Sequence, residues 1–163
     1  MPYNSFGGNN RSNPVQGAGR GNQQGGGQYS NQSRLPAEIR PMPIPEDYVD
    51  AAENVMRTIH SNRSRITTTK MRGFLTLVND IYNVESLRFD EKISPESKLK
   101  IMRLRVRMVY DAGREQDVKT FIEQARLLEY LKGVGDNREK MIRYAHYMEA
   151  LVAYHRYLGG SDK

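Results

Sequence analysis

The sequence predicts an all-α fold: a compact antiparallel bundle of about five helices preceded by a disordered N-terminal tail. Three observations carry this reading. Between Glu46 and Leu158, apolar residues recur every three or four positions in five successive stretches. No strand pattern of any length interrupts them. The first 33 residues are instead low in complexity, dominated by Asn, Gln, Gly and Ser.

That opening segment, Met1 to Ser33, has too few aliphatic residues to offset the entropy of ordering it. Arg11 and Arg20, with Tyr3, Phe6 and Tyr29, leave two readings: weak contact with RNA or protein, or a solubilising tail. Pro36, Pro41, Pro43 and Pro45 then punctuate a stiff, extended linker. Tail and linker take residues 1–44, and the helical domain takes 45–163. A domain of that size buries roughly two-thirds of its unfolded surface, enough for a real core.

The first helix is expected from Glu46 to about Ser61, with Tyr48, Ala52, Val55, Met56 and Ile59 on its buried face. A basic loop follows at Asn62-Arg63-Ser64-Arg65. The second helix is capped by Thr67 or Thr68 and runs to about Val84. Phe74, Leu77, Val78, Ile81 and Tyr82 form its apolar face, with Met71 and Leu75 at the margin. Gly73 costs about 1 kcal/mol against alanine in such a helix, and hints at a close approach.

The third helix has complete punctuation. Ser94 suits the cap, Pro95 the first position, and Gly113 the residue just past the end. Basic and apolar residues nearly alternate from Lys98 to Met108, but caps and length favour a helix over a strand. At 100° per residue, Leu99, Met102, Val106, Val109 and Tyr110 fall on one side. Ile101, Leu104, Met108 and Ala112 fall on the other. Lys100, Arg103 and Arg107 share one gap between the two sides; Lys98 and Arg105 share the other. A helix apolar on two sides is expected to be packed between neighbours, its cations emerging through the gaps with wet heads and buried stems. This ridge suits phosphate, or is simply a solvated charged face.

The fourth helix is expected from Gln116 to Lys132, with Val118, Phe121, Ile122, Ala125 and Leu128 as its stripe and Gly133 and Gly135 as its end. Asp136 or Asn137 caps the fifth, which runs to Leu158. Its stripe is Met141, Tyr144, Ala145, Met148, Leu151, Val152, His155 and Leu158, flanked by Tyr147, Tyr154 and Tyr157.

Composition narrows the function. The net charge is +6 at pH 7, which permits a polyanionic partner. With no cysteine, disulfides, thiolate metal sites and a cysteine nucleophile are excluded. No apolar run reaches membrane-spanning length, and the polar N-terminus is no secretory signal, so a cytoplasmic protein without membrane contact is expected. Catalytic candidates are thin. His146 and Glu149 share a helix face, but a di-iron bundle needs that pair repeated on another helix, and no repeat is found. His155, in an apolar stripe, reads as a core histidine. No cofactor and no enzymatic activity are expected.

Three stretches resemble the small subunit of type III-A CRISPR effector complexes, of the Csm type. Ile66 to Arg72 is similar to the family's ITT-x-x-x-R helix opening. Leu104 to Arg114, ending Tyr110-Asp111-Ala112-Gly113-Arg114, is similar to its Y-x-A-G-R segment. Glu149 to Gly160 is similar to its EA-hydrophobic-VAYH terminus with the closing GG pair. The Asn/Gln/Gly tail lies outside that pattern.

The resemblance implies a small helical protein with no activity of its own. It would stack with adjacent copies of itself as an inner filament, with a homodimer as one form when isolated. Its neighbours would be the backbone subunits, the large polymerase-nuclease subunit, and guide and target RNA. Sequence reading would be left to base pairing, so contacts would fall on phosphate and ribose. Lys70, Arg72 and Arg114 join the candidate RNA-binding residues by resemblance. Lys98, Lys100, Arg103, Arg105 and Arg107 join them by helical placement. Arg114 has an alternative use, satisfying the carbonyls that end its helix. Two other functions compete: a helical adaptor that binds only protein, and a metal-dependent bundle enzyme using His146, Glu149 and His155.

Overall fold

The computed structural model describes residues 37–62 and 66–162; the expected tail and most of the basic loop lie outside them. The described chain forms α1 (Tyr48–Ser61), α2 (Thr68–Glu85), α3 (Pro95–Arg114), α4 (Gln116–Gln124), α5 (Leu127–Val134) and α6 (Arg138–Tyr157). No strand occurs among the described residues, only an isolated bridge between Lys92 and Asn137. The fold is all-α, as the periodicity predicts.

Three helices start where their caps predict. The Thr67 side chain accepts from the Lys70 amide, Ser94 from that of Ser97, and Asn137 from that of Lys140. Each satisfies a first-turn donor that the helix leaves free. Gly135 and Gly159 close α5 and α6 with positive φ angles of 58° and 87°, where a Cβ would be strained.

The fourth predicted helix is in fact two. Ala125 ends α4, and Arg126 turns the chain in a left-handed conformation at φ 50° before α5. The cause lies twenty residues away on α6. The buried Tyr147 hydroxyl donates to the Ala125 carbonyl at 3.0 Å, and the Tyr144 hydroxyl donates to that of Leu127 at 3.2 Å. The first of these bonds satisfies a carbonyl left free at the end of α4; the second adds a donor to the first carbonyl of α5. Both hydroxyls are held protonated well above the ordinary tyrosine range, chiefly by burial.

The centre of the bundle is α6, not α3. It packs against α1, α2 and α5. Met141, Tyr144, Ala145, Tyr147, Met148, Leu151, Val152 and His155 are all buried on it. Tyr147, expected at the flank, is thus core, while Tyr157 is exposed. On α2 the margin and face exchange roles: Met71 is buried and Leu77 is exposed. Gly73 has no neighbour where a Cβ would stand, so no close approach requires it. The close approach is at Gly133, whose missing Cβ makes room for the Met42 backbone. There the segment before α1 lies along α5. Met42 N–H donates to the Glu129 carbonyl at 3.0 Å, Lys132 Nζ to the Ile39 carbonyl at 2.6 Å, and Ile44 is buried.

Candidate nucleic-acid interface

Helix α3 is a rigid rod of 20 residues, about 30 Å long. Its inner side buries Ser97, Ile101, Leu104, Met108 and Asp111 against α2, α4 and α5. Its other apolar side is not covered. Leu99, Met102, Val106, Val109 and Tyr110 are all exposed, Val106 by 69%. The helix is therefore packed on one side only, which corrects the expectation of neighbours on both. It also runs two residues further than expected, to Arg114: Gly113 stays helical without a positive φ, and extended Glu115 ends the helix.

The cations stand where the helical placement puts them, in two rows edging the uncovered stripe. Along one edge run Lys100, Arg103, Arg107 and Arg114; along the other, Lys98 and Arg105. Their surroundings differ. Arg103 and Arg105 are exposed and form no ion pair among the described residues. Lys100 pairs with Glu96 at 3.1 Å, one turn back. Arg107 Nε donates to Oδ2 of the buried Asp111 at 2.7 Å, which holds its guanidinium in one direction. Lys98 lies 3.9 Å from Asp136, before α6. Arg114 does not satisfy helix-end carbonyls: its guanidinium lies 5.4 Å over the Tyr110 ring and donates to that hydroxyl at 3.3 Å.

Two candidates lie on α2. Lys70 stands in the first turn, where the helix dipole disfavours a cation, and Glu115 pairs with it at 2.5 Å. The pair joins the start of α2 to the end of α3, so Lys70 stands beside the C-terminal end of the basic row. Arg72 is exposed.

His146, Glu149 and His155 do not gather into one site. His146 lies among Tyr48, Tyr82 and Glu149, its Nδ1 3.2 Å from the Glu149 carboxylate. His155 is nine residues on, about 13 Å along the axis. There its Nδ1 is 3.2 Å from His60 Nε2. Sequence reasoning missed this pair, because 95 residues separate the partners and no local spacing signals it. Burial, then the neighbouring His60, holds the His155 pKa below the ordinary histidine value.

Fold and surface together define a small protein, all-helical among the described residues, whose charged groups are displayed along a helix. The chain belongs to the family described as Csm2 Type III-A, whose profile matches residues 43–161. It is thus a member of the small-subunit family of type III-A CRISPR effector complexes. It is 41% identical over 122 residues to the CRISPR system Cms protein Csm2 of Mycobacterium tuberculosis strain H37Rv, covering 74% of this chain and 98% of that protein. The protein of the same name from Streptococcus thermophilus is 42% identical over 121 residues, 72% of this chain and 95% of that one. A third, from Enterococcus italicus, is 34% identical over 99 residues, with coverage of 60% and 71%. All three sequence stretches that carry the resemblance fall within the matched region.

Proposed function

We propose that the chain is a non-catalytic, cytoplasmic subunit that holds guide and target RNA by their backbones, without reading sequence. In this reading adjacent copies stack along the inner filament of the effector, beside its backbone subunits and its large polymerase-nuclease subunit. One observation carries the RNA contact: Lys100, Arg103, Arg107 and Arg114 form a row on one edge of a rigid helix, successive members one or two turns apart. Lys70 stands at the row's end, held by Glu115. Point charges on a fixed rod meet phosphates regardless of base, and phosphate contact dominates the affinity of such proteins. Lys98, Arg105 and Arg72 extend the positive field and steer the polyanion.

Two measurements test this. The tagged chain is purified gently from its own host and the co-purifying RNA is sequenced. Short RNAs sharing one repeat-derived 5′ end, with stoichiometric partner proteins, are expected. Lys100→Ala, Arg103→Ala and Arg107→Ala are then compared in binding across salt. Each true phosphate contact lowers the salt slope by about one, equally for all RNA sequences. An unchanged slope in all three variants would remove the row from the interface.

A further inference from the structure

The row of cations leaves the stripe beside it unexplained. Leu99, Met102, Val106 and Val109 lie on the outer side of α3, each more than half exposed. From Leu99 to Val109 they span about 15 Å of axis, nearly three turns. Met102, Val106 and Tyr110 line a shallow groove of about 430 Å³, walled by Arg103 and Arg107. A contiguous apolar row rimmed by charge marks an interaction site rather than scattered surface residues.

Three occupants compete, and charge and chemistry choose among them. RNA does not suit the stripe. Its groups are aliphatic and offer no π-face for a base, while its one ring, Tyr110, already stacks with Arg114. A second copy docking by the same surface does not suit it either. Both edges of the stripe are basic, so pairing through this same surface on both copies sets cation against cation, which is unfavourable. The complement is a protein element that is aliphatic along its middle and acidic along its flank. Arg105 has no acid of its own within the described chain to meet, so it is available to one.

We infer that the outer stripe of α3 is a docking surface for a protein partner presenting an amphipathic helix with acidic flanks. Aliphatic residues at intervals of three and four on that helix fill the rows of Leu99, Met102, Val106 and Val109. Its Asp or Glu residues face Arg105. The cation row on the opposite edge stays free for RNA, so α3 is gripped on one face by protein and presents another to nucleic acid. The inference rests on the proposed membership of a multi-subunit assembly.

The absence of cysteine makes a direct test simple. Val106→Cys gives the full chain a single thiol on the stripe, and Ala153→Cys gives one on an exposed position of α6. Each is assembled with the other subunits of its locus, with and without RNase digestion, and probed with a small maleimide. The expected result is at least tenfold slower labelling at position 106 on assembly, surviving RNase. The same thiol carrying a benzophenone should cross-link to a peptide of another subunit with aliphatic residues at helical spacing and flanking acids. Val106→Asp should reduce incorporation at least tenfold while Val106→Leu retains it, with equal helicity in both. A cross-link to RNA, to this chain or to a second copy of it overturns the inference, as does a thiol at 106 labelled as fast in the complex as in the free chain. A chain that joins no assembly overturns the proposed function as well. A chain that joins with position 106 open overturns only the docking surface.

Discussion

The Ser94 hydroxyl donates to Oε1 of Glu85 at 2.7 Å while accepting from the Ser97 amide at 3.1 Å. The residue that caps α3 is thus anchored by the last residue of α2. Glu85 is fully buried, and its carboxylate also takes the Ser94 amide at 3.1 Å and Arg88 Nη1 at 3.0 Å. Burial opposes its ionisation, but the nearby Ser97 hydroxyl and the hydrogen bonds from Ser94 and Arg88 outweigh it and lower the pKa. This carboxylate ties the start of α3, and so the root of the basic row, to the end of α2.

Glu85→Gln keeps the shape but removes charge-assisted hydrogen bonds, each worth about 1.5–3 kcal/mol. A loss of about 2–4 kcal/mol is expected in urea unfolding at pH 7. Because the folded pKa is depressed, the carboxylate's contribution is fully present above the ordinary value of 4.5 and is lost as pH falls through the folded value. The wild-type chain should therefore weaken in acid more steeply than the variant.

His155 governs a milder pH range. A histidine in the unfolded chain takes its proton near 6.5, whereas His155 takes it only at lower pH, chiefly because it is buried and then because of His60 and Arg156; Asp162 opposes them. The stability of the neutral form is complete above pH 6.5 and is lost as pH falls through the folded value. The melting temperature should hold from pH 8 to 7 and decline below 6.5, and His155→Gln should flatten that decline. Gly160 stands over the imidazole, where a Cβ would lie 2.3 Å from Nε2, and the next carbonyl, Ser161, receives the Thr68 amide at 2.8 Å. Faster exchange of the Thr68 amide should mark the same transition.

Gly133→Ala should unseat the segment before α1. The new Cβ would meet the Met42 carbonyl oxygen at 1.9 Å, and a backbone atom cannot swing aside. Overpacking of this kind costs about 1–3 kcal/mol. Hydrogen exchange at the Met42 amide should accelerate while that in α6 stays slow.

Arg103 and Arg107 separate binding from stability. Arg103 has no ion pair among the described residues, so Arg103→Ala should leave stability within about 0.5 kcal/mol. Arg107→Ala strands the buried Asp111 carboxylate and should cost about 1–3 kcal/mol. If both lower the RNA salt slope by about one, the row binds as a row. If only Arg107→Ala weakens binding, its effect is on the fold.

Local chemistry determined much of this protein by itself. Thr67, Ser94 and Asn137 are caps because a short polar side chain reaches a first-turn amide two or three residues on. The two cation rows follow from the 3.6-residue period alone. The three family-like stretches were legible for the same reason, being contiguous in sequence. Tertiary structure decided the rest. The break at Arg126 depends on hydroxyls of Tyr144 and Tyr147, about twenty residues away. The pairing of His60 with His155 spans 95 residues. On α3, periodicity correctly gave two apolar sides, yet only one is covered among the described residues. A hydrophobic period records which side of a helix is apolar; which apolar side is buried depends on how many neighbours the rest of the chain can supply, and here α6, not α3, took the central place.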